Sequence, residues 1–136
     1  MPGTAMTQGA HHVGLTVPDL VRTRAFFVDT LGFHQVGGVP DYPAAFVSDG
    51  STMITLWQAA DPGTAVPFDR KNNIGLHHLA LKVDGAESLA ALHRKLEPVA
   101  DVEIEFAPEP LGGGPTQHMM CLIPGGIRLE FVAPGK

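Results

Sequence analysis

The chain has 136 residues and carries nine Lys and Arg against 14 Asp and Glu, which gives a net charge of −5. Because no basic cluster interrupts this acidic balance, nucleic acid is excluded as a partner. With 44% apolar and 17% charged residues, and no apolar run near the roughly 20 residues that span a bilayer, the sequence predicts a folded globular domain and neither a disordered chain nor a membrane protein.

The amino terminus and the cysteine content predict the location. The opening MPGTAMTQ lacks the basic and apolar regions of a secretory signal, and a single cysteine, Cys121, cannot form an internal disulfide. We therefore expect a cytoplasmic protein with a flexible segment over residues 1–8. Cys121 lies in the apolar run HMMCLI, where a buried and inert thiol is expected.

In chain order, the first elements are a strand and a helix. The run GAHHVGLTV, residues 9–17, has the alternation of a strand, and PDLVRTRAFFVDTLG has the pattern of an amphipathic helix that Asp19 can cap and Gly32 can end. The runs FHQV, AAFVS and TMITLW follow as three short strands, because they contain β-branched or aromatic residues and are separated by Gly and Pro.

The second half of the chain repeats this order. Sliding the sequence by 66 places aligns GAHHVGLTV with GLHHLALKV, residues 75–83, with five identities in nine positions. DGAESLAALHRKLEP then has the pattern of a helix, and VEIEF, HMMCLI and IRLEF have the pattern of strands.

The repeat predicts an α+β fold of two βαβββ modules. Module 1 covers about residues 9–58, a linker covers 59–74, and module 2 covers about 75–133. Because neither half could bury both faces of its sheet alone, we expect one domain over residues 9–133, with a cleft if the two sheets curl toward each other.

Each repeated strand presents one histidine on the face away from its helix. Successive side chains of a strand point to opposite faces, so His12 and His78 fall on that polar face, and Glu130 does so in the last strand. Two imidazoles and one carboxylate bind a divalent first-row metal and leave coordination sites open. A lone histidine at a strand start is more often a satisfied polar residue, but its repetition favours the metal hypothesis. We interpret His11 and His77 as supporting or surface groups.

These features resemble the vicinal oxygen chelate superfamily, the glyoxalase, bleomycin-resistance and dioxygenase fold, and this resemblance implies that the two βαβββ modules form a cup, or half-barrel. The resemblance covers residues 9–133 and is carried by HHVGLTVPDLVRTRAFFVDTLGF, GLHHLALKV and PGGIRLEF. It implies a metal-dependent enzyme that chelates a small oxygen-bearing substrate and stabilises an enolate or oxyanion, as an isomerase or epimerase, a lyase or an extradiol-type dioxygenase. One divalent metal ion is implied, and imidazole and carboxylate ligands suit iron, manganese, nickel, cobalt and zinc alike.

Carried over position by position, the family's metal ligands fall on His12, His78 and Glu130. Where glyoxalase I and methylmalonyl-CoA epimerase have a Glu or Gln in the last strand of the first module, this chain has Thr55, a poor metal ligand. Gln58 could serve instead only if a bulge intervened. A set of two histidines and one glutamate resembles extradiol dioxygenases and fosfomycin-modifying thiol transferases, whereas TAVPFDRKNNIGLHHLALKV is similar to methylmalonyl-CoA epimerases, so the subfamily stays open.

Four further residues are candidates for the site. His118 lies on a predicted strand and suits general acid or base work alongside Glu130, although a hydrogen-bonded histidine at a strand end is an equal alternative. Thr55 and Trp57 would line the cup as substrate-binding residues. Arg128 could hold a carboxylate or phosphate of the substrate, or reach solvent at the rim.

The main alternative function is a metal-free ligand-binding protein of the bleomycin-resistance type, which would sequester an aromatic ligand. In either case the resemblance implies a small-molecule ligand and a homodimer.

Overall fold

The computed structural model describes residues 3–135 and contains two compact units, one reaching to Ala60 and the other beginning at Asp61. Each unit has the order strand, helix and three strands, so the predicted α+β fold of two βαβββ modules is confirmed. Of the predicted flexible segment over residues 1–8, the first two residues lie outside the described range, and residues 3–8 contain no helix or strand.

The first unit contains one four-stranded sheet and one short helix. Its elements are β1 (His12–Val17), α1 (Leu20–Ala25), a π-helical turn (Phe26–Thr30), β2 (His34–Val39), β3 (Ala44–Ser48) and β4 (Met53–Gln58). The strand order is β1-β4-β3-β2, with β1 parallel to β4 and the other pairs antiparallel.

Local signals set both ends of the first helical segment. Asp19 caps α1 by accepting a hydrogen bond from the Arg22 backbone N–H at 3.1 Å, and Gly32 follows with a φ of +82°, a conformation that glycine adopts without strain. Phe26 and Phe27 are buried on the helical side, as are Leu15 and Leu56 of the sheet. The core of this unit therefore lies on one face of the sheet, and the alternate residues of β1 and β4 occupy the other face.

The second unit repeats the arrangement with a longer helix. Its elements are β5 (Leu79–Lys82), α2 (Ala86–Leu96), β6 (Glu103–Pro110), β7 (Gln117–Leu122) and β8 (Arg128–Ala133). The strand order is β5-β8-β7-β6, again with the first and last strands of the module parallel. In contrast to His12, which opens β1, the second histidine pair lies before β5, because the strand begins at Leu79.

The helix α2 covers one face of the second sheet through Leu89 and Leu96, both fully buried. The sheet contributes Met119, Cys121 and Leu129, which are also fully buried. Because β7 and β8 pair with Met120 opposite Glu130 and Leu122 opposite Arg128, these four side chains belong to the other face. Two charged groups of β8 are therefore held on the face that α2 does not cover.

Within residues 3–135, no helix is long and apolar enough to span a membrane.

Candidate functional site

A cluster of two histidines and one glutamate lies on the face of the second sheet that α2 leaves uncovered. Glu130 is only 8% exposed. Its Oε1 atom lies 3.2 Å from Nε2 of His78, and its Oε2 atom lies 2.6 Å from Nδ1 of His118. The structure thus brings together three of the predicted site residues, with the carboxylate between the two imidazoles.

The surroundings of His118 fix its ring. Its imidazole packs against Phe106 with ring centroids 4.8 Å apart, and its Nε2 lies 3.7 Å from Oε1 of Glu109. A carboxylate only accepts hydrogen bonds, so the short contact with Glu130 places the proton of His118 on Nδ1. In the neutral imidazole the lone pair then lies on the other ring nitrogen, Nε2, on the side of Glu109.

Arg128 is buried in an ion-pair network and does not reach solvent at a rim. Its side chain makes two hydrogen bonds to Glu105, from Nε to Oε1 at 3.0 Å and from Nη2 to Oε2 at 2.7 Å, and Arg70 Nη1 donates to the same Oε1 at 2.9 Å. Hydrogen bonding from Arg128, together with the charges of both arginines, holds the pKa of Glu105 below its ordinary value, and the bond to Glu105 raises the pKa of Arg128. Nη1 of Arg128 lies 3.3 Å from Nδ1 of His77.

An open cavity of about 290 Å³ lies beside this network in the second unit. Three basic side chains and one acidic side chain contribute to its lining, together with apolar and glycine residues: Phe68, Asp69, Arg70, Lys71, Leu122, Gly126 and Arg128. Basic groups beside an apolar ring suit a ligand that has an anionic group and an apolar part.

In the first unit, His12 is exposed at the start of β1. Its Nδ1 atom lies 2.9 Å from Nδ1 of His11, and the two rings are nearly perpendicular. His12 is therefore hydrogen-bonded to its neighbour through Nδ1, and Nε2 is the ring nitrogen outside this contact.

Thr55 and Trp57 lie together on the face of the first sheet opposite to its core. Trp57 Nε1 donates a hydrogen bond to Thr55 Oγ1 at 2.9 Å, and Trp57 also packs edge to face with Tyr42. A Cβ atom at Gly14 would lie 3.2 Å from Thr55 Oγ1, so a larger residue at position 14 would crowd this threonine. The pair forms an amphipathic wall with an aromatic surface and one hydroxyl.

Gln58 is not available as a ligand, because its side chain holds the start of α1. Its Oε1 accepts a hydrogen bond from the Leu20 backbone N–H at 2.9 Å, while Nε2 donates to the carbonyls of Pro18 and Ala59. The pairing of β1 with β4 runs without a shift through all six positions from Met53 to Gln58. The bulge that could have turned Gln58 to the other face is therefore absent.

A metal site requires a grouped set of donors. Although His78, Glu130 and His118 are in contact, no three His, Cys, Asp or Glu side chains across residues 3–135 are placed so that they could hold a metal ion together. The second unit does supply the facing pair of His78 Nε2 and Glu130 Oε1, an imidazole nitrogen and a carboxylate oxygen. Both are donor types that first-row metals accept, so this pair fits two positions of a coordination shell.

Sequence reasoning missed Glu105, which links Arg128 to Arg70. A signal was present in the run VEIEF, since the alternation of its acidic and apolar residues places glutamates on the polar face of the strand. The pairing of β6 with β7 shifts between Ile104 and Phe106, and Glu105 lies at this irregularity. The shift places Phe106 opposite Met120 and against the ring of His118, which cannot be read from the alternation.

The observed architecture is a pair of βαβββ modules, each with polar residues on the strand face away from its helix. The chain belongs to the Glyoxalase/Bleomycin resistance protein/Dioxygenase superfamily, whose family model matches residues 9–131.

Individual relatives agree with this assignment. The mitochondrial methylmalonyl-CoA epimerase of Bos taurus is 32% identical over 80 residues, covering 54% of this chain and 46% of the relative, so the match spans about half of that protein. A glyoxylase/bleomycin resistance protein/dioxygenase domain from Frankia sp. EAN1pec superposes with a TM-score of 0.80 at 26% identity, over 96% of this chain and 99% of that one. Lactoylglutathione lyase from Agrobacterium tumefaciens superposes with a TM-score of 0.70 at 18% identity, over 94% and 95% of the two chains, and shows the fold alone.

Proposed function

We propose that this protein is a metal-dependent enzyme that chelates a small oxygen-bearing substrate and stabilises an enolate or another oxyanion formed from it. One observation carries the proposal. On the face of the second sheet away from α2, an imidazole nitrogen of His78 and a carboxylate oxygen of Glu130 face each other at 3.2 Å, and the carboxylate is nearly buried. Imidazole and carboxylate are donor types that a divalent first-row ion accepts together.

The proposed ligands are His78, Glu130 and His12. The support for His12 comes from the repeat, since each module carries a His-His pair at its opening and each pair makes the same contact between Nδ1 atoms, at 2.9 Å and 2.8 Å. A bound divalent ion would supply Lewis-acid stabilisation of negative charge on a substrate oxygen.

His118 is proposed to move the proton. Its Nδ1 donates to Glu130, so the ring is held in one orientation with Nε2 as the basic atom. Phe106 packs against this ring, with the ring centroids 4.8 Å apart. A base that is oriented in this way suits abstraction of a proton next to an oxygen that bears developing charge. Glu130 then has a double role, as a ligand and as the group that orients His118.

Substrate contacts are proposed in each of the two units. In the second unit, Arg128 lines the cavity together with Arg70 and Lys71, which suits a carboxylate or phosphate of the substrate. In the first unit, Thr55 offers a hydroxyl and Trp57 an aromatic face.

The reaction class within the superfamily is narrowed only by the relatives. The local similarity to a methylmalonyl-CoA epimerase favours proton transfer next to a carbonyl over oxygen insertion. We therefore propose an isomerase or epimerase as the first reaction class. A lyase and an extradiol-type dioxygenase are the further classes. The competing function is metal-free ligand binding of the bleomycin-resistance type.

The test is the metal content of protein purified without a polyhistidine tag or chelator. We expect wild-type protein to hold close to one divalent ion per chain, and His12→Ala, His78→Ala and Glu130→Ala each to lose most of it. His34→Ala is the matched control, because His34 is an exposed histidine outside the cluster. Wild-type protein that is empty and cannot be loaded with any of the five candidate metals would refute the proposal and favour the metal-free binder.

A single domain over residues 9–133, a homodimer and a cytoplasmic location stay predictions. Sedimentation equilibrium tests the oligomeric state.

A further inference from the structure

Both histidine pairs contain a hydrogen bond from one ring to the other. Nδ1 of His77 lies 2.8 Å from Nδ1 of His78, and Nδ1 of His11 lies 2.9 Å from Nδ1 of His12. The ring centroids are 5.1 Å and 5.2 Å apart, with interplanar angles of 74° and 84°. In each contact one nitrogen must carry the proton and the other must accept it.

In the second pair a third group decides the direction of this hydrogen bond. Nη1 of Arg128 lies 3.3 Å from Nδ1 of His77. A guanidinium has only donors, so Nδ1 of His77 must be the acceptor and carries no proton. The proton of the short contact between the rings therefore belongs to Nδ1 of His78. The single lone pair of His77 is shared by two donors, the nearer one on His78 and the more distant one on Arg128.

The guanidinium of Arg128 is held in this orientation. Two hydrogen bonds tie it to Glu105, at 3.0 Å and 2.7 Å, and the residue is only 6% exposed. Parallel hydrogen bonds between a guanidinium and a carboxylate fix both position and rotation. The chain Glu105–Arg128–His77–His78 is thus a continuous line of hydrogen bonds that ends at the imidazole facing Glu130.

We propose that His77 is a positioning residue that holds His78 in the tautomer protonated at Nδ1. In this tautomer the lone pair of His78 lies on Nε2, the atom that faces Glu130 Oε1 at 3.2 Å. A lone pair and a carboxylate oxygen do not attract each other without a cation between them. The tautomer therefore prepares His78 and Glu130 to receive a cation, and it gives His77 a role beside the proposed ligand.

The tautomer can be measured on metal-free protein. Long-range correlation of the imidazole protons and nitrogens in protein labelled with 15N-histidine reports which nitrogen carries the proton, at a pH where imidazole is neutral. We expect His78 to be protonated at Nδ1 in wild-type protein and to shift toward protonation at Nε2 in His77→Phe, which keeps a ring and removes the acceptor. His77→Asn should restore the Nδ1 form, because its amide oxygen replaces the acceptor. His34→Phe is the matched control.

A wild-type His78 protonated at Nε2, or the same tautomer in wild type and His77→Phe, would overturn the proposal. His77 is exposed, so its replacement should not prevent folding.

The effect on metal affinity rests on the proposed function, whereas the tautomer does not. Titration with Co²⁺, followed by its visible absorption, should show about 10- to 100-fold weaker binding in His77→Phe and near wild-type binding in His77→Asn. Equal Co²⁺ affinity in wild type and His77→Phe would refute the positioning role. If wild-type protein binds no Co²⁺ while His78 has the expected tautomer, the metal function fails and the tautomer assignment stands.

Discussion

Replacing Glu105 by glutamine should destabilise the protein by removing the charge that balances the buried Arg128. Glu105 accepts two hydrogen bonds from Arg128 and one from Arg70. Glutamine has one acceptor oxygen and no charge, so at least one bond to the guanidinium is lost and the remaining ones weaken. A hydrogen bond to a charged group contributes about 1.5–3 kcal/mol, and we expect Glu105→Gln to lower the free energy of unfolding by about 2–3 kcal/mol near neutral pH.

The loss should also depend on pH in a defined direction. The hydrogen bonds from Arg128 lower the pKa of Glu105 from its ordinary 4.5. The carboxylate therefore stabilises the folded state fully above that ordinary value, and the contribution is lost as pH falls through the lowered pKa. In the acid range below it, the wild-type side chain is itself neutral, so the difference between wild type and Glu105→Gln should shrink toward zero.

Urea unfolding of wild type, Glu105→Gln and Glu103→Gln, at neutral and acid pH, measures both effects. Glu103→Gln is the matched control, because Glu103 is exposed on the same strand and undergoes the same chemical change. The control should change the free energy of unfolding by no more than about 0.5 kcal/mol. Equal losses in the two variants, or a Glu105→Gln loss that stays constant with pH, would refute the account of the network.

Two further predictions concern groups on the core side of the sheets. Burial raises the pKa of Cys121 to about 12. A thiol reagent should therefore leave Cys121 unmodified in the folded protein near neutral pH and modify it in urea. Rapid modification of the folded protein would contradict this burial. Gln58→Ala should lower the free energy of unfolding by about 1–2 kcal/mol through loss of its hydrogen bonds at the start of α1, with unchanged Co²⁺ affinity. Weaker Co²⁺ binding at unchanged stability would instead make Gln58 a ligand.

The repeat of the two modules is the part of the fold that the sequence predicts most directly. GAHHVGLTV and GLHHLALKV share a period of alternation and are each followed by a helical pattern, and strand and helix periods depend only on local backbone geometry. The strands after each helix are likewise bounded by Gly and Pro, which act locally. For this reason the order of elements in both modules could be derived without tertiary information.

The partners of the polar side chains could not be derived in this way. Alternation places His118, Arg128 and Glu130 on predicted strands, but only the pairing of β7 with β8 decides that His118 contacts Glu130. Alternation likewise does not show that Arg128 is buried in an ion pair with Glu105, which lies 23 positions away in the chain.

For the histidine pairs, too, the sequence predicts the repetition and the tertiary structure decides the contacts. Their repetition is visible in the sequence and indicated a shared purpose. The direction of the hydrogen bond between His77 and His78 depends on Arg128, a residue about 50 positions away in the chain. Periodicity reports the face on which a side chain lies, because it follows from the local backbone, whereas the contacts on that face are set by strand register between distant segments.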